Sequence, residues 1–171
     1  MNRQTIRKLT YAAILVAMDI VLARYLAIPL GYERLSLQFL PDGMAGILLG
    51  PVFGGMTTLG ADLLGMLIQS GGLTINPLIS LSAILRGVIP GLILYKKEVT
   101  YKRALLAVGI SLLAADVLIT STALHLFYYP TVPLWQIMGV RALVRIAYAP
   151  LQALLLKLVT EGVRRFEKGR G

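Results

Sequence analysis

Cysteine is absent from this chain of 171 residues, histidine and tryptophan occur once each, and only 15% of the residues are charged. The absence of cysteine excludes disulfides, thiolate metal sites and cysteine nucleophiles. Because soluble domains carry about 25% charged residues, the low charge excludes a soluble globular enzyme. Hydrophobic residues make up 57% of the sequence, and its mean hydropathy is +0.75. We therefore expect one integral membrane domain, residues 1–171, of the all-α class.

Acidic residues are also scarce, with 8 Asp and Glu against 17 Lys and Arg, and the formal net charge is +9. In a soluble protein this balance would suggest a nucleic-acid partner. Here the basic residues fall in short clusters beside long apolar runs, which is the pattern of topology signals in membrane proteins. We therefore expect this protein to lie in a lipid bilayer and to bind no nucleic acid.

Proline and glycine divide the apolar sequence into six runs that approach the length of about 20 residues needed to cross a bilayer. One break lies at Gly50-Pro51, and Asn76-Pro77 is typical of a helix start. The first run carries Asp19 and Arg24 and lacks a cleavage motif, so we interpret it as a helix rather than a signal peptide. The predicted helices span residues 8–30, 35–50, 51–69, 77–95, 104–128 and 135–160.

Lysine and arginine cluster at the N-terminus, after the fourth predicted helix, and at the C-terminus. The positive-inside rule places all three clusters in the cytoplasm. Four helices and then two separate these clusters, and both numbers are even, as this orientation requires. We therefore expect six transmembrane helices with cytoplasmic N- and C-termini.

Several charged residues fall inside the predicted helices, where a charge at the bilayer centre costs about 2.5–3.5 kcal/mol. Some can neutralise each other, for example Arg145 with Asp19 or Asp116. Without Asp42, which we expect near the outer mouth of the second helix, three acids face four arginines. The excess of arginine suits a ligand with carboxylates, because guanidinium binds carboxylate in a bidentate manner. The charged residues counted are Asp19, Asp62 and Asp116 with Arg24, Arg86, Arg141 and Arg145.

Uncharged polar and aromatic side chains are predicted at the outer ends of the helices. Aromatic faces with amides and carboxylates suit a flat heteroaromatic ligand. For His125 and Trp135, anchoring at the membrane interface is favoured over a ligand contact. The predicted ligand-binding residues are Arg24, Asp62, Thr74, Asn76, Arg86, His125, Trp135, Arg141 and Arg145.

Motifs of catalysis are missing from the sequence, which contains no HExxH, no G-x-S-x-G and no P-loop. A single histidine without cysteine does not make a zinc site. We therefore expect a protein that is not an enzyme and that needs no cofactor or metal.

Small residues spaced four apart would let helices approach each other closely. Packing within the bundle and docking onto another membrane protein both use such spacing. The pairs are Ala13 with Ala17, Gly46 with Gly50, and Gly87 with Gly91.

Characteristic strings occur along nearly the whole chain, in addition to six predicted helices and Ala13-x-x-x-Ala17. They are KLTYAAILVA at 8–17, FLP at 39–41, LLGP at 48–51, ADLLG at 61–65 and LRG at 85–87. With these features the chain resembles the substrate-binding (S) components of energy-coupling factor (ECF) vitamin transporters. It is most similar to the folate-specific subfamily, through IVLAR at 20–24 and the string at 61–65. The segment GGLTINP at 71–77 departs from the aromatic-rich sequence of that subfamily.

The resemblance implies that the protein captures a vitamin with high affinity from outside a prokaryotic cell, and folate is the foremost candidate. It implies docking through Ala13 and Ala17 onto a membrane coupling subunit that carries two cytoplasmic ATPases, followed by toppling of the S component and inward release of the vitamin. Other vitamins stay open: pantothenate, thiamine, riboflavin or a queuosine precursor. So does a proton-coupled secondary transporter, in which Asp19, Asp62 and Asp116 would form the proton relay. A membrane scaffold with purely structural charges is a further alternative.

Overall fold

The computed structural model describes residues 3–30, 33–68 and 75–168, which are almost entirely helical apart from one short hairpin. Two stretches of the helical chain have π-helical hydrogen bonding. In chain order the elements are α1 (Arg3–Ile20), a π-helical turn (Val21–Tyr25), β1 (Ile28–Leu30), β2 (Glu33–Leu35), α2 (Phe39–Leu49), α3 (Pro51–Ile68), α4 (Pro77–Leu94), α5 (Tyr101–Ser111), a π-helical stretch (Leu112–Thr120), α6 (Ser121–Phe127) and α7 (Leu134–Lys168).

The first helix ends earlier than predicted. After Tyr25 the chain becomes extended, and β1 pairs antiparallel with β2, with Ile28 opposite Leu35 and Pro29 opposite Arg34. The prediction of a helix over 8–30 is therefore wrong beyond Tyr25, and α2 begins at Phe39 rather than at 35. An apolar run by itself does not distinguish a helix from a strand. In addition, a proline at position 29 has no N–H group to donate the backbone hydrogen bond that a continuing helix needs.

The break predicted at Gly50-Pro51 is confirmed. Gly50 follows the end of α2 with φ = 93°, and α3 begins at Pro51. This backbone conformation favours glycine, because side chains with a Cβ are strained there. A Cβ on Gly50 would also lie 3.2 Å from the ring of Tyr95, so the chain reversal is packed beneath the end of α4.

Glycines hold α2, α3 and α4 in close contact. A Cβ on Gly46 would clash with the carbonyl oxygen of Gly87 and lie 2.6 Å from the nitrogen of Gly91. A Cβ on Gly87 would lie 2.6 Å from the carbonyl oxygen of Gly54. Close approach at these spacings is confirmed, and it occurs inside the bundle.

The second half of the chain follows its local signals at the helix starts. The Asn76 side chain accepts a 2.9 Å hydrogen bond from the Leu78 amide, and Pro77 is the first residue of α4, as predicted. α5, the second π-helical stretch and α6 form one continuous helix that begins at Tyr101 rather than at 104. α7 begins at Leu134 and continues past the predicted end at 160 to Lys168.

Four helices in the described residues are long and apolar enough to cross a membrane: Pro51–Ile68, Pro77–Leu94, Tyr101–Phe127 and Leu134–Phe166. α2 is apolar but has 11 residues, and α1 carries charged residues at both ends. One buried apolar cluster joins α1, α2, α4, α5 and α7 and includes Leu15, Ile47, Leu94, Val108 and Leu156.

Candidate functional site

A central cavity of about 310 Å³ lies within the helical bundle. Its wall takes side chains from the end of the first helix, the hairpin and every later helix, and its inner end borders the apolar cluster at Val108 and Leu156. Small-molecule sites are typically cavities of about 300–1,000 Å³ with a few polar groups in an apolar wall. The charged lining residues are Arg24, Arg34, Asp42, Asp62, Arg86, Asp116, Arg141 and Arg145.

An ion network crosses the middle of the cavity. The Nε atom of Arg86 lies 3.3 Å from a carboxylate oxygen of Asp42, and another guanidinium nitrogen lies 3.6 Å from Asp116. Asp116 also lies 3.5 Å from a guanidinium nitrogen of Arg145. These contacts join α2, α4, the second π-helical stretch and α7. The predicted alternative that intramembrane charges neutralise one another therefore holds for Arg145 with Asp116.

Asp42 has a different role from the one expected at the outer mouth of the second helix. It is 2% exposed and pairs with Arg86 inside the bundle. Because α2 begins at Phe39 rather than at 35, Asp42 falls in the first turn of that helix. The position of Asp42 along α2 did not indicate this contact, because the contact depends on how α2 packs against α4. Leaving Asp42 out of the charge balance was therefore wrong.

Arg24 lies in the π-helical turn that follows α1, half-buried against α3. A Cβ on Gly65 would lie 3.0 Å from the Arg24 Nε, so this glycine provides the space for the guanidinium. No acid within the described ranges forms an ion pair with Arg24. The neighbouring acid, Asp62 on α3, accepts a 3.0 Å hydrogen bond from the Ser80 hydroxyl.

Five of the nine predicted ligand-binding residues meet at the central cavity. Arg141 and Arg145 stand one turn apart on α7 and both reach its wall, and Arg141 is 4% exposed. Their shared face follows from the spacing of four residues on a helix. The five residues are Arg24, Asp62, Arg86, Arg141 and Arg145.

Three predicted residues lie away from the cavity wall. The Asn76 side chain caps α4, the His125 Nδ1 lies 2.9 Å from the Val132 carbonyl oxygen, and Trp135 is 75% exposed. Their positions at connections suggested a common outer cluster, but position in sequence does not determine where a side chain points. Thr74 lies outside the described residues.

Several polar residues of the wall were not among the predicted ligand-binding residues, and Arg34 and Gln152 are two of them. Arg34 lies in β2, which was interpreted as part of a bare connection. Gln152 lies on α7 seven residues after Arg145, and this spacing places it on the same helix face. That spacing was the available signal for Gln152, whereas nothing in the sequence predicted the hairpin that carries Arg34.

The cavity wall has an excess of positive charge, because five arginines face three aspartates. A site of this kind favours a ligand that carries negative charge and forms bidentate bonds with guanidinium groups. Within the described ranges, no group of three His, Cys, Asp or Glu side chains is placed to hold a metal ion. The arrangement is suited to binding an organic anion.

Ala13 and Ala17 lie on the outside of the bundle. Both are exposed, next to Ile14 and Met18, which are 51% and 42% exposed. The opposite face of α1 carries the buried Leu15. Packing of these two alanines within the bundle is therefore excluded in this structure.

Comparison with known proteins gives a consistent result. Residues 7–163 match the family model described as ECF transporter, substrate-specific component. A folate transporter FolT from Clostridium novyi (strain NT) is 39% identical over 100 residues, and the matched segment spans 58% of this chain and 58% of that relative.

Two solved structures are also similar. A crystal structure of FolT bound with folic acid has a TM-score of 0.81 and 27% identity, covering 92% of this chain and 93% of that one. The S-component for biotin from an ECF-type ABC transporter has a TM-score of 0.72 and 22% identity, covering 96% and 94%. At 22% identity, the second likeness concerns the fold alone.

Proposed function

Because this chain belongs to the substrate-specific components of ECF transporters, which bind and transport substrates and are not enzymes, we propose that it captures folate. The observation that carries the proposal is the central cavity, in which arginines outnumber aspartates. Folate pairs a flat heteroaromatic ring with a glutamate that bears two carboxylates. Similarity to FolT supports folate over pantothenate, thiamine, riboflavin or a queuosine precursor.

Folic acid is expected to bind the purified full-length chain in detergent with saturable 1:1 stoichiometry. Isothermal titration calorimetry would measure this binding, with biotin at the same concentrations as the control ligand. Biotin carries one carboxylate and no pterin, so we expect no binding isotherm for it. Binding of biotin or another vitamin in place of folic acid would contradict the proposal.

We further propose that the chain crosses a prokaryotic plasma membrane six times as one domain, with both termini in the cytoplasm. The distribution of Lys and Arg supports this orientation. α1 with its π-helical turn, α2, α3, α4, the helix Tyr101–Phe127 and α7 would then be the six spans. Under this topology the hairpin and the α6–α7 connection lie outside. They contribute Arg34 and Tyr129, respectively, to the cavity wall.

Docking onto a membrane coupling subunit with two cytoplasmic ATPases is proposed to use the exposed face of α1. The support is the small size and exposure of Ala13 and Ala17, since small residues four apart permit close helix contact. A partner with ATPase subunits would supply the energy, because the sequence has no P-loop. A secondary transporter would instead take up its ligand without such partners.

Replacing Ala17 with tryptophan is expected to abolish folate uptake in cells that contain the coupling subunit, because the indole would block close approach of the helices. Folic acid affinity of the isolated variant should stay within about threefold of the wild type, a change smaller than 1 kcal/mol. The matched control is Leu113→Trp, at a side chain that is 52% exposed on another span; it should leave uptake intact. Equal loss of affinity and uptake in Ala17→Trp would contradict the docking assignment.

A further inference from the structure

Gln152 is a buried amide without a hydrogen-bond partner. Its side chain is 1% exposed, and neither its Nε2 nor its Oε1 bonds to another atom in the described part of the protein. A buried polar group normally has a partner, because leaving it unpaired costs about 1–3 kcal/mol. The other buried atoms without a hydrogen bond include the Arg86 Nε and an Asp42 oxygen, but those two still form an ion pair with each other. The lack of any partner for Gln152 therefore requires an explanation.

The surroundings of Gln152 place it at the inner end of the central cavity. It lies in the cavity wall with Leu156, which follows one turn later on α7, and both belong to the same helix face as Arg141 and Arg145. Leu156 and Val108 belong to the apolar cluster that borders this end. The first turn of α2 reaches the same end, because a Cβ on Gly43 would lie 2.8 Å from a Leu156 methyl group.

The spacing along α7 separates two kinds of recognition. At 1.5 Å per residue, Gln152 lies about 16 Å along the helix from Arg141. An elongated ligand could therefore place carboxylates near Arg141 and Arg24 and a neutral polar ring near Gln152. A primary amide both donates and accepts hydrogen bonds, which matches a ring edge that presents a carbonyl beside an N–H group.

From these observations, and resting on the proposed binding of folate, we infer that Gln152 recognises the polar edge of the ligand's ring system at the inner end of the cavity. The ring enters first and the carboxylates stay toward the hairpin. The amide is left unpaired in the empty protein because its partner is the ligand. Gln152 is thus a specificity residue for the heterocycle and has no role in binding the carboxylates.

Gln152→Met, which keeps the side-chain length and removes the amide, tests this inference. Folic acid affinity of the full-length variant is expected to fall by about tenfold to a hundredfold, since a buried ring edge loses its partners. Affinity for p-aminobenzoylglutamate, which lacks the pterin ring, should not change. The control is Gln136→Met, the same substitution at an exposed residue of α7 outside the cavity, which should bind both ligands as the wild type does.

Thermal unfolding of the ligand-free protein gives a second measurement that does not depend on ligand identity. Gln152→Met should raise the Tm, because an unpaired buried amide is replaced by an apolar group. A lower Tm would show that the amide supports the fold, and it would overturn the inference, as would equal loss of both ligands or no loss of folic acid. If the wild type binds no folic acid, the proposed folate function fails, and the Tm of this variant still decides whether the amide is structural.

Discussion

Replacing Arg86 with glutamine is expected to destabilise the protein by about 3–5 kcal/mol, the usual cost of removing one partner of a buried ion pair. Arg86 lies within ion-pair distance of two aspartates, Asp42 and Asp116, whose side chains are 3% and 2% exposed. Arg145 would still neutralise Asp116, but Asp42 would lose its described counter-ion, Arg86, inside a low-dielectric bundle. Thermal unfolding of the purified variant in detergent would measure the loss as a lower Tm.

Two controls separate the buried pair from charge loss in general. Lys157→Gln also removes one positive charge, but from a lysine near the surface that pairs with Glu161 at 3.7 Å. Because exposed pairs contribute about 0–1 kcal/mol, this variant should lose little stability. The double variant Arg86→Met with Asp42→Asn removes both charges, and it should recover much of the lost stability. If Arg86→Gln unfolds at the same temperature as the wild type, the network does not hold α2, α4 and the π-helical stretch together.

Removing Arg24 should have the largest effect on ligand affinity with little effect on stability. Arg24→Ala is expected to weaken binding of folic acid by roughly 30-fold to several thousand-fold, the equivalent of about 2–5 kcal/mol for a lost buried charge partner. Arg24 reaches the cavity wall, and no described acid pairs with it. Its guanidinium is therefore available to a carboxylate of the ligand. Isothermal titration calorimetry would measure both affinities.

The dimethyl ester of folic acid is the matched ligand for Arg24→Ala. It keeps the ring system and loses both charges, so the variant should bind it nearly as well as the wild type does. Arg165→Ala, at an exposed residue of α7 outside the cavity wall, should leave the affinity for folic acid unchanged. Equal losses for folic acid and its ester would mean that Arg24 supports the fold and that the ligand's charge was inferred wrongly.

The sequence by itself determined the class of the protein and many of its helix boundaries. Low charge and high hydropathy require a lipid environment, because so much apolar surface cannot be buried in so short a soluble chain. The break at Gly50-Pro51 and the start at Asn76-Pro77 were predictable because glycine, proline and a capping amide act on their own local backbone. The shared face of Arg141 and Arg145 was predictable for a similar reason, since helix periodicity is local.

Only the tertiary structure decided how these elements meet. The hairpin replaced the end of the first predicted helix because strand pairing satisfies the same backbone groups as a helix does, and the choice depends on a partner strand. Asp42 pairs with Arg86, and Gln152 lacks a partner, because of how α2, α4 and α7 pack. The sequence pattern placed Asn76, His125 and Trp135 in the ligand site. In the structure, the Asn76 side chain caps α4, the His125 side chain contacts the α6–α7 connection, and the Trp135 side chain is exposed. Pairing between distant residues depends on packing distances and side-chain directions, and a one-dimensional pattern carries neither.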